Sequence, residues 1–426
     1  MSALAPLLTG HADARWVAAA SSDDDGAAVR AGAATVDELD LRLLDIDARE
    51  LRLHRDGFCN STMWFLHHGL FDLVRRPRFD SRFREAWSAH ISVSEQFADA
   101  IAADASRRDV VLVNDYHLAL VPALLRARRP DLRVLHFTHT PFCAPDGIRA
   151  LPDDVAAAVC GSLAGGPAGF HTQRWADAFA ASVTASLGSG PGSAPFVAPL
   201  GPDADALALA RTGSDVEAAR DALAATVDDR IVIARSDRIE PSKNLVRGFL
   251  AFDLLLESRP DLRGRVVFVA MVYASRQGLA EYLAYANEVE QVVDRINERW
   301  ATAGWQPIVL DARDDYARTV AGLERYDVLL VNPLKDGLNL VAKEGPLLNQ
   351  RDGVLCLSRE AGAFDELEPA VEMVHPFDID QTAAALAAAV DLEPDAHAAR
   401  AKHLRTLAGA RSPKLWLDDL LAQLPE

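Results

Sequence analysis

Long apolar runs are missing from this 426-residue chain: no stretch approaches eighteen uninterrupted hydrophobic residues, so no membrane-spanning helix is expected. The opening MSALAPLLTG has neither the basic flank nor the long apolar core of a secretory signal, which leaves a cytoplasmic protein as the default expectation. Cysteine is scarce. Cys59, Cys143, Cys160 and Cys356 stand alone, without CxxC pairing or a histidine-rich partner segment, so neither a zinc site nor a disulfide framework is expected and each thiol reads as buried or bystander. Positive charge is also short: 44 Lys and Arg against 62 Asp and Glu give a net charge of −18, which argues against nucleic acid or an anionic membrane as partner. Any phosphate-bearing ligand must therefore meet a local cluster of cations. Repeats of solenoid period and low-complexity tails are absent too.

What is present is enough apolar material, 50% of residues, to fill more than one core, and two α/β domains is the natural expectation. From about Asp109, strand-like runs alternate with helix-period segments: DVVLVND, HLALVPALLRARR, LRVLHFTH, then a helical stretch from Pro152. Strand followed by amphipathic helix, repeated, predicts parallel sheets covered on both faces. Pro, Gly and Asp cluster in PFVAPLGPDADALALARTGSD, and the boundary is placed there, giving a first Rossmann-like domain over residues 1–205. The second half runs RIVIARSD, RVVFVAMV, PIVLDA, DVLLVNP, GVLCLS and EMVHP, each followed by a helical pattern, and predicts a second Rossmann-like domain over 206–410. Residues 411–426 read as an amphipathic helix, with Trp416, Leu417, Leu420 and Leu421 at helical spacing, that packs back on the first domain. Two such domains facing each other would bring their strand C-termini into one cleft, where open α/β sheets bind ligands.

The strongest chemical signal is Asn332 to Glu344, directly after the strand DVLLV. Gly337 would let backbone approach a ligand, the amides of Leu338, Asn339 and Leu340 would open a helix with N–H groups aimed at an anion or a sugar hydroxyl, and Asp336 could hold sugar hydroxyls. Glu344, two turns along that helix, could accept both hydroxyls of a ribose. After RIVIARSD comes a loop with Arg238 and Lys243, a fork and a point charge suited to neutralising a leaving diphosphate. Arg276, past RVVFVAMV, suits a second phosphate, on an acceptor. In the first half, Asp115 and His139 end strands expected to be neighbours, where sugar-binding and catalytic groups collect. Asp378 to Thr382 spells a DxDxT phosphatase signature, but only 44 residues follow Thr382 (426 minus 382), so it reads as a helix cap. GSLAGGPAGF lacks the Lys-Ser/Thr of a P-loop.

GFCN…MW…HH from Gly57 to His68, VNDYHLALVPALLRARRPDLR, HFTHTPF, GFHTQRWA, PLGPD, RSDRIEPSKN, VNPLKDGLNLVAKE, LSREAGAFDEL and VHPFD together resemble the trehalose-6-phosphate synthase family of retaining GT-B glycosyltransferases over nearly the whole chain. The resemblance implies a GT-B fold and transfer of a glucosyl-type group from a nucleotide diphosphate donor, UDP- or GDP-linked, to a sugar phosphate, with no further cofactor and no metal. It assigns Arg238 and Lys243 to the donor diphosphate, Asp336 and the Gly337 to Leu340 amides to the donor sugar and phosphate, Glu344 to the ribose, His139 to the donor sugar, and Asp115 and Arg276 to the acceptor. Asp115, His139, Arg238 and Lys243 form the implied catalytic set. Such enzymes retain configuration without a protein nucleophile, so positioning and charge stabilisation carry the reaction.

The chain departs from the family's pattern in two places. The opening strand and glycine-rich loop of the family have no counterpart here, and Trp64-Phe65-Leu66-His67-His68-Gly69 puts a glycine where the family places a tyrosine at the acceptor phosphate. ARSDRIEPSKN, EGPLLNQRD and Met63-Trp64 resemble instead the pseudo-glycosyltransferases that join a nucleotide-linked cyclitol to an aminocyclitol phosphate. A non-catalytic sugar-nucleotide-binding protein is the third alternative. The sequence leaves oligomeric state open, a homo-oligomer included.

Overall fold

The computed structural model describes Leu7 and residues 14–20, 22–30 and 40–424. The expected lack of an opening strand and glycine-rich loop concerns residues that, Leu7 apart, lie outside the described ones. The chain divides into two compact units, Met1–Leu200 with Pro413–Glu426, and Gly201–Ser412.

In the first unit, β3 (Val110–Asn114), β4 (Arg133–Thr138), β5 (Ala168–Phe170) and β6 (Phe196–Val197) form a parallel sheet in that order. A separate parallel pair precedes it, β1 (Arg15–Ala19) beside β2 (Asp40–Leu44), and the sequence gives no strong sign of either strand. Both are five residues long, and none of their residues is fully buried. The two strands are tied by charge: Arg15 of β1 pairs with Asp40 of β2 and with Asp104.

After β2, Asp47 caps helix Ala48–Arg52 by accepting from the amides of Arg49 and Glu50. That helix continues into a π-helix, Leu53–Met63, and then into Trp64–His68. Gly69 ends the run at φ 66°, a left-handed backbone that glycine adopts without a Cβ penalty and a tyrosine would adopt only under strain. Helix Ser81–Asp104, capped by Asp80, packs along the π-helix. The C-terminal helix Pro413–Leu421 belongs to this unit, with Trp416 buried edge-on against Phe137, ring centroids 5.1 Å apart.

The second unit holds β7 (Ile231–Ile239), β8 (Val266–Ala274), β9 (Ile308–Asp311), β10 (Val328–Val331), β11 (Val354–Ser358) and β12 (Glu372–Val374), all parallel. Their spatial order is β12-β11-β10-β7-β8-β9. The chain builds outward from β7 through β9, returns to the other side of β7 for β10, and builds outward again. This is the doubly wound order with its switch point between β7 and β10. The strands are near-continuous hydrophobic runs because both faces are covered, and Phe249, Phe252 and Phe268 pack edge to face beneath the sheet. The DxDxT segment is a cap: Asp378 accepts from the Gln381 amide at 2.9 Å and opens helix Ile379–Val390.

Candidate active site

At the switch point of the second unit, the loops leaving β7 and β10 are tied together by reciprocal amides. The Asn244 side chain donates to the Asn332 carbonyl at 3.0 Å, the Asn332 side chain donates to the Asn244 carbonyl at 3.2 Å, and the Leu334 amide donates to the Ser242 carbonyl at 2.8 Å. Asn244 sits at φ 59°, a left-handed turn that asparagine tolerates, so that helix Leu245–Ser258 starts in a new direction.

This scaffold joins two of the sequence-predicted residues directly. Lys243 Nζ donates to Asp336 Oδ2 at 2.6 Å, and Asn339 Nδ2 reaches the same oxygen at 3.1 Å. Burial pulls the Lys243 pKa down, but Asp336 and Asp237 outweigh it and hold the ammonium above its ordinary value. Behind it, the fully buried Arg235 donates to Asp237 Oδ2 at 2.7 Å and to the Lys243 carbonyl at 2.9 Å.

Arg238 lies within β7, not in the loop that follows it, because the strand runs to Ile239. Its guanidinium is 3.0 Å from Oε1 of Glu240, a carboxylate 1% exposed. Arg276, at φ 45° just past β8, approaches the same oxygen at 3.8 Å and hydrogen-bonds the Tyr282 hydroxyl. Arg235, Arg238, Lys243 and Arg276 thus face Asp237, Glu240 and Asp336, four cations against three carboxylates. Among these seven groups the cations exceed the carboxylates by one.

The Asp336 to Glu344 segment differs from the sequence expectation in where its helix begins. The helix is Val341–Leu348, so Leu338, Asn339 and Leu340 precede it and Glu344 lies in its first turn, not two turns along. The left-handed residue is Asn339 at φ 78°, whose side chain then accepts from the Ala342 amide at 3.2 Å and caps the helix. The preceding loop is held by the segment after β11: the Asp336 amide donates to Glu360, and the amides of Gly362 and Ala363 donate to the carbonyls of Asp336 and Leu338. A Cβ on Gly362 would lie 2.0 Å from the Gly337 oxygen, so glycine is required there by contact. Burial raises the pKa of the Glu344 carboxyl.

In the first unit, β3 and β4 are neighbours, and Asp115 and His139 follow their ends. Asp115 stands at φ 64°, a strained conformation for a non-glycine, held by its amide donating to the Phe137 carbonyl at 2.7 Å and by Thr140 donating to Oδ1 at 3.4 Å. The Leu200 amide donates to His171 Nδ1, which leaves the His171 proton on Nε2 to donate to His139 Nδ1 at 3.2 Å. His139 therefore carries its proton on Nε2 and donates to Asn114 Oδ1 at 3.1 Å. Burial lowers its pKa to about 4, so it is neutral at pH 7. Trp416 covers the ring, centroids 5.8 Å apart.

Glu240, Gly362 and His171 carry this architecture without having been assigned a place in it from sequence, and Trp416, expected to pack on the first domain, lies against the His139 ring. Glu240 and Gly362 lie inside RSDRIEPSKN and LSREAGAFDEL, which were the available signal. No metal-ligand cluster is evident in the sequence, whereas among the described residues the side chains of His54, Cys59 and His90 converge in the first unit. Among the described residues no helix is long and apolar enough to cross a membrane.

The family model for glycosyltransferase family 20 matches residues 3–426. A trehalose-6-phosphate synthase of Mycobacterium marinum is 30% identical over 449 residues, covering 100% of this chain and 88% of that protein. A bifunctional trehalose-6-phosphate synthase/phosphatase of Thermoproteus tenax is 31% identical over 90% of this chain, which spans 53% of that longer protein. The crystal structure of an alpha,alpha-trehalose-phosphate synthase (UDP-forming) from Burkholderia xenovorans in complex with glucose-6-phosphate superimposes with a TM-score of 0.82, at 28% identity, covering 91% of this chain and 88% of that one. With a cationic switch point in its second unit and a family match along nearly its whole length, the chain belongs to glycosyltransferase family 20 and is a glycosyltransferase of the GT-B fold.

Proposed function

We propose that the chain transfers a glucosyl group from UDP-glucose to glucose 6-phosphate, with retention, to form trehalose 6-phosphate. The observation that carries this reading is the cluster of Arg238, Lys243 and Arg276 at the switch point, a net positive site in a chain of net charge −18. The UDP-forming relative that holds glucose-6-phosphate supports the choice of both substrates.

Arg238 and Lys243 take the donor diphosphate, where negative charge grows as the glycosidic bond breaks; preformed cations stabilise that charge without reorganising. The Leu338 to Leu340 amides and Asp336 hold the donor phosphate and sugar, and Glu344 accepts from the ribose hydroxyls. Arg276 takes the acceptor phosphate and Asp115 an acceptor hydroxyl. Both nitrogens of His139 are engaged by His171 and Asn114, so its ring shapes the donor-sugar pocket and does not relay a proton. With the leaving phosphate assisting deprotonation of the acceptor on the same face, no protein nucleophile is needed.

The test is a donor-by-acceptor matrix read by mass spectrometry, pairing UDP- and GDP-glucose with glucose 6-phosphate, other hexose phosphates and aminocyclitol phosphates. An O-linked disaccharide phosphate from UDP-glucose and glucose 6-phosphate is expected. An N-linked pseudodisaccharide, or nucleotide binding without turnover on any acceptor, would refute the reading.

A further inference from the structure

One face of β7 is apolar except at two positions. Ile231, Ile233, Arg235, Asp237 and Ile239 alternate onto the same side of the strand, and Ile233 and Ile239 pack into the core with Phe249 of helix Leu245–Ser258. Between those isoleucines stand a guanidinium that is 0% exposed and a carboxylate that is 5% exposed. We propose that Arg235 is a positioning residue for the transfer reaction, one that fixes Lys243 at the donor diphosphate by holding its backbone and by occupying the carboxylate that would otherwise draw its ammonium inward. That role rests on the reading of Lys243 as a donor-diphosphate ligand.

One nitrogen makes both connections. Arg235 Nη2 donates to Asp237 Oδ2 at 2.7 Å and to the Lys243 carbonyl at 2.9 Å. The first bond stays on β7, two residues along; the second reaches the 3₁₀ turn Pro241–Lys243 that carries the ammonium. Asn244, the next residue, takes the left-handed φ of 59° from which helix Leu245–Ser258 departs. The Lys243 carbonyl is therefore at the point where the chain turns, and a bond to it sets the direction in which the Lys243 side chain leaves the loop.

The charges alternate as well. Asp237 faces Arg235, and Asp336 Oδ2 accepts from Lys243 Nζ at 2.6 Å, so each carboxylate has its own cation. Asp237 nonetheless acts on Lys243, being one of the two carboxylates that hold its ammonium above the ordinary value. Without the guanidinium, Asp237 is a buried carboxylate deprived of its cation, a state that is strongly unfavourable in a core. The Lys243 ammonium, already in the field of Asp237, then turns toward it and away from the diphosphate.

The fold by itself does not account for a guanidinium in this place. Among the described residues, Arg235 Nε and Nη1 are buried without a hydrogen-bond partner. The helix facing it carries Gly248, where a Cβ would stand 2.7 Å from Nη1, and Phe249 lies beside it with the ring centroid 5.8 Å from Cζ. An apolar side chain would fill the same space with no unsatisfied N–H group and would let the helix carry a larger residue than glycine. What the guanidinium supplies, and an apolar side chain cannot, is the bond to the Lys243 carbonyl and the charge opposite Asp237.

The test is a double-mutant cycle in the full chain, read as affinity for UDP by calorimetry and for uridine, which lacks the phosphates, by ligand-observed NMR. Arg235→Met should weaken UDP binding about 10-fold or more and leave uridine binding within about threefold, a split that general loosening of the fold would not give. In the Lys243→Met background the same substitution should change UDP affinity by less than about twofold, because the residue it acts through is gone. Urea unfolding identifies the conditions under which each variant is folded. If Arg235→Met does not fold, Arg235→Met combined with Asp237→Asn, which changes no net charge, takes its place in the cycle, with the same split and the same non-additivity expected. Lys243→Met with wild-type UDP affinity would sink the diphosphate reading itself. Loss of UDP affinity in Lys243→Met but not in the Arg235 variant, or an Arg235 loss repeated in full in the Lys243→Met background, would overturn the positioning role and leave that reading standing.

Discussion

Replacing Lys243 by methionine keeps the aliphatic stem and removes the ammonium that sits 2.6 Å from Asp336 Oδ2. At that separation the attraction is about 6 kcal/mol for an effective dielectric of about 20. Desolvation of both groups, whose side chains are 15% and 16% exposed, offsets most of it. Loss of one partner should therefore cost about 2 kcal/mol of stability, the Asp336 carboxylate keeping its Asn339 donor. Asp336→Asn in the Lys243→Met background should cost less than in wild type, a coupling of about 1–2 kcal/mol in urea unfolding. Transfer should suffer more: without the ammonium at the leaving diphosphate, turnover falls by two orders of magnitude or more, about 2.7 kcal/mol of lost transition-state stabilisation. Coupled detection of UDP release, under conditions where the unfolding curve shows the variant folded, measures this. A folded Lys243→Met with wild-type kcat and donor KM would refute the diphosphate role.

Arg276→Ala should raise KM for the phosphorylated acceptor about 10-fold or more while donor affinity stays within about threefold, since Arg238 keeps its own contact with Glu240; equal loss of both, by steady-state kinetics and calorimetry, would contradict the division. Glu344→Gln removes a carboxylate whose pKa burial raises, so the ligand-free protein should melt no lower than wild type while UDP affinity drops about 10-fold, both read by thermal shift with and without nucleotide. The buried histidines set an acid limit. His54, His136 and His139 are held to about 4 by burial, below their unfolded value near 6.5, so their neutral forms contribute stability that is complete above pH 6.5 and lost as pH falls toward 4. Each should cost about 1.4 kcal/mol per pH unit in that window, seen as a falling urea midpoint, and a flat profile from pH 7 to 4.5 would contradict their burial.

The second unit was legible almost strand by strand because its parallel sheet is buried on both faces, which forces the apolar runs that sequence reading detects. β1 and β2 escaped it: RWVAA and DLRLL are short, carry arginines, and leave no residue fully buried. Helix starts were displaced where an asparagine takes a left-handed backbone. Asn244 and Asn339 delay the helices after β7 and β10 to Leu245 and Val341, and no periodicity reports a positive φ. Of the site, the residue types at strand ends were readable and their partners were not. Glu240 is one carboxylate among many in the sequence, and only folding shows that Arg238 and Arg276 share it. Nothing in the His54 to Cys59 spacing signals the π winding of Leu53–Met63 that brings the two side chains within 3.9 Å.

The ion pairs at the switch point bear on how the enzyme divides its binding energy. Without ligand, Lys243 is held by Asp336 and Arg238 by Glu240, so a diphosphate must compete with carboxylates already in place. That competition weakens ground-state binding, and it also fixes the cations before the substrate arrives. As the donor bond breaks, charge moves onto the leaving phosphate, and cations already oriented stabilise that charge more than they stabilise the intact donor. Neutralising Glu240 should therefore affect the two states in opposite ways. Glu240→Gln frees Arg238 to bind UDP more tightly but releases both arginines from their fixed geometry, so Kd for UDP should fall while kcat falls with it. Tighter nucleotide binding with unimpaired kcat would show that the carboxylate merely balances charge and does not position the cations.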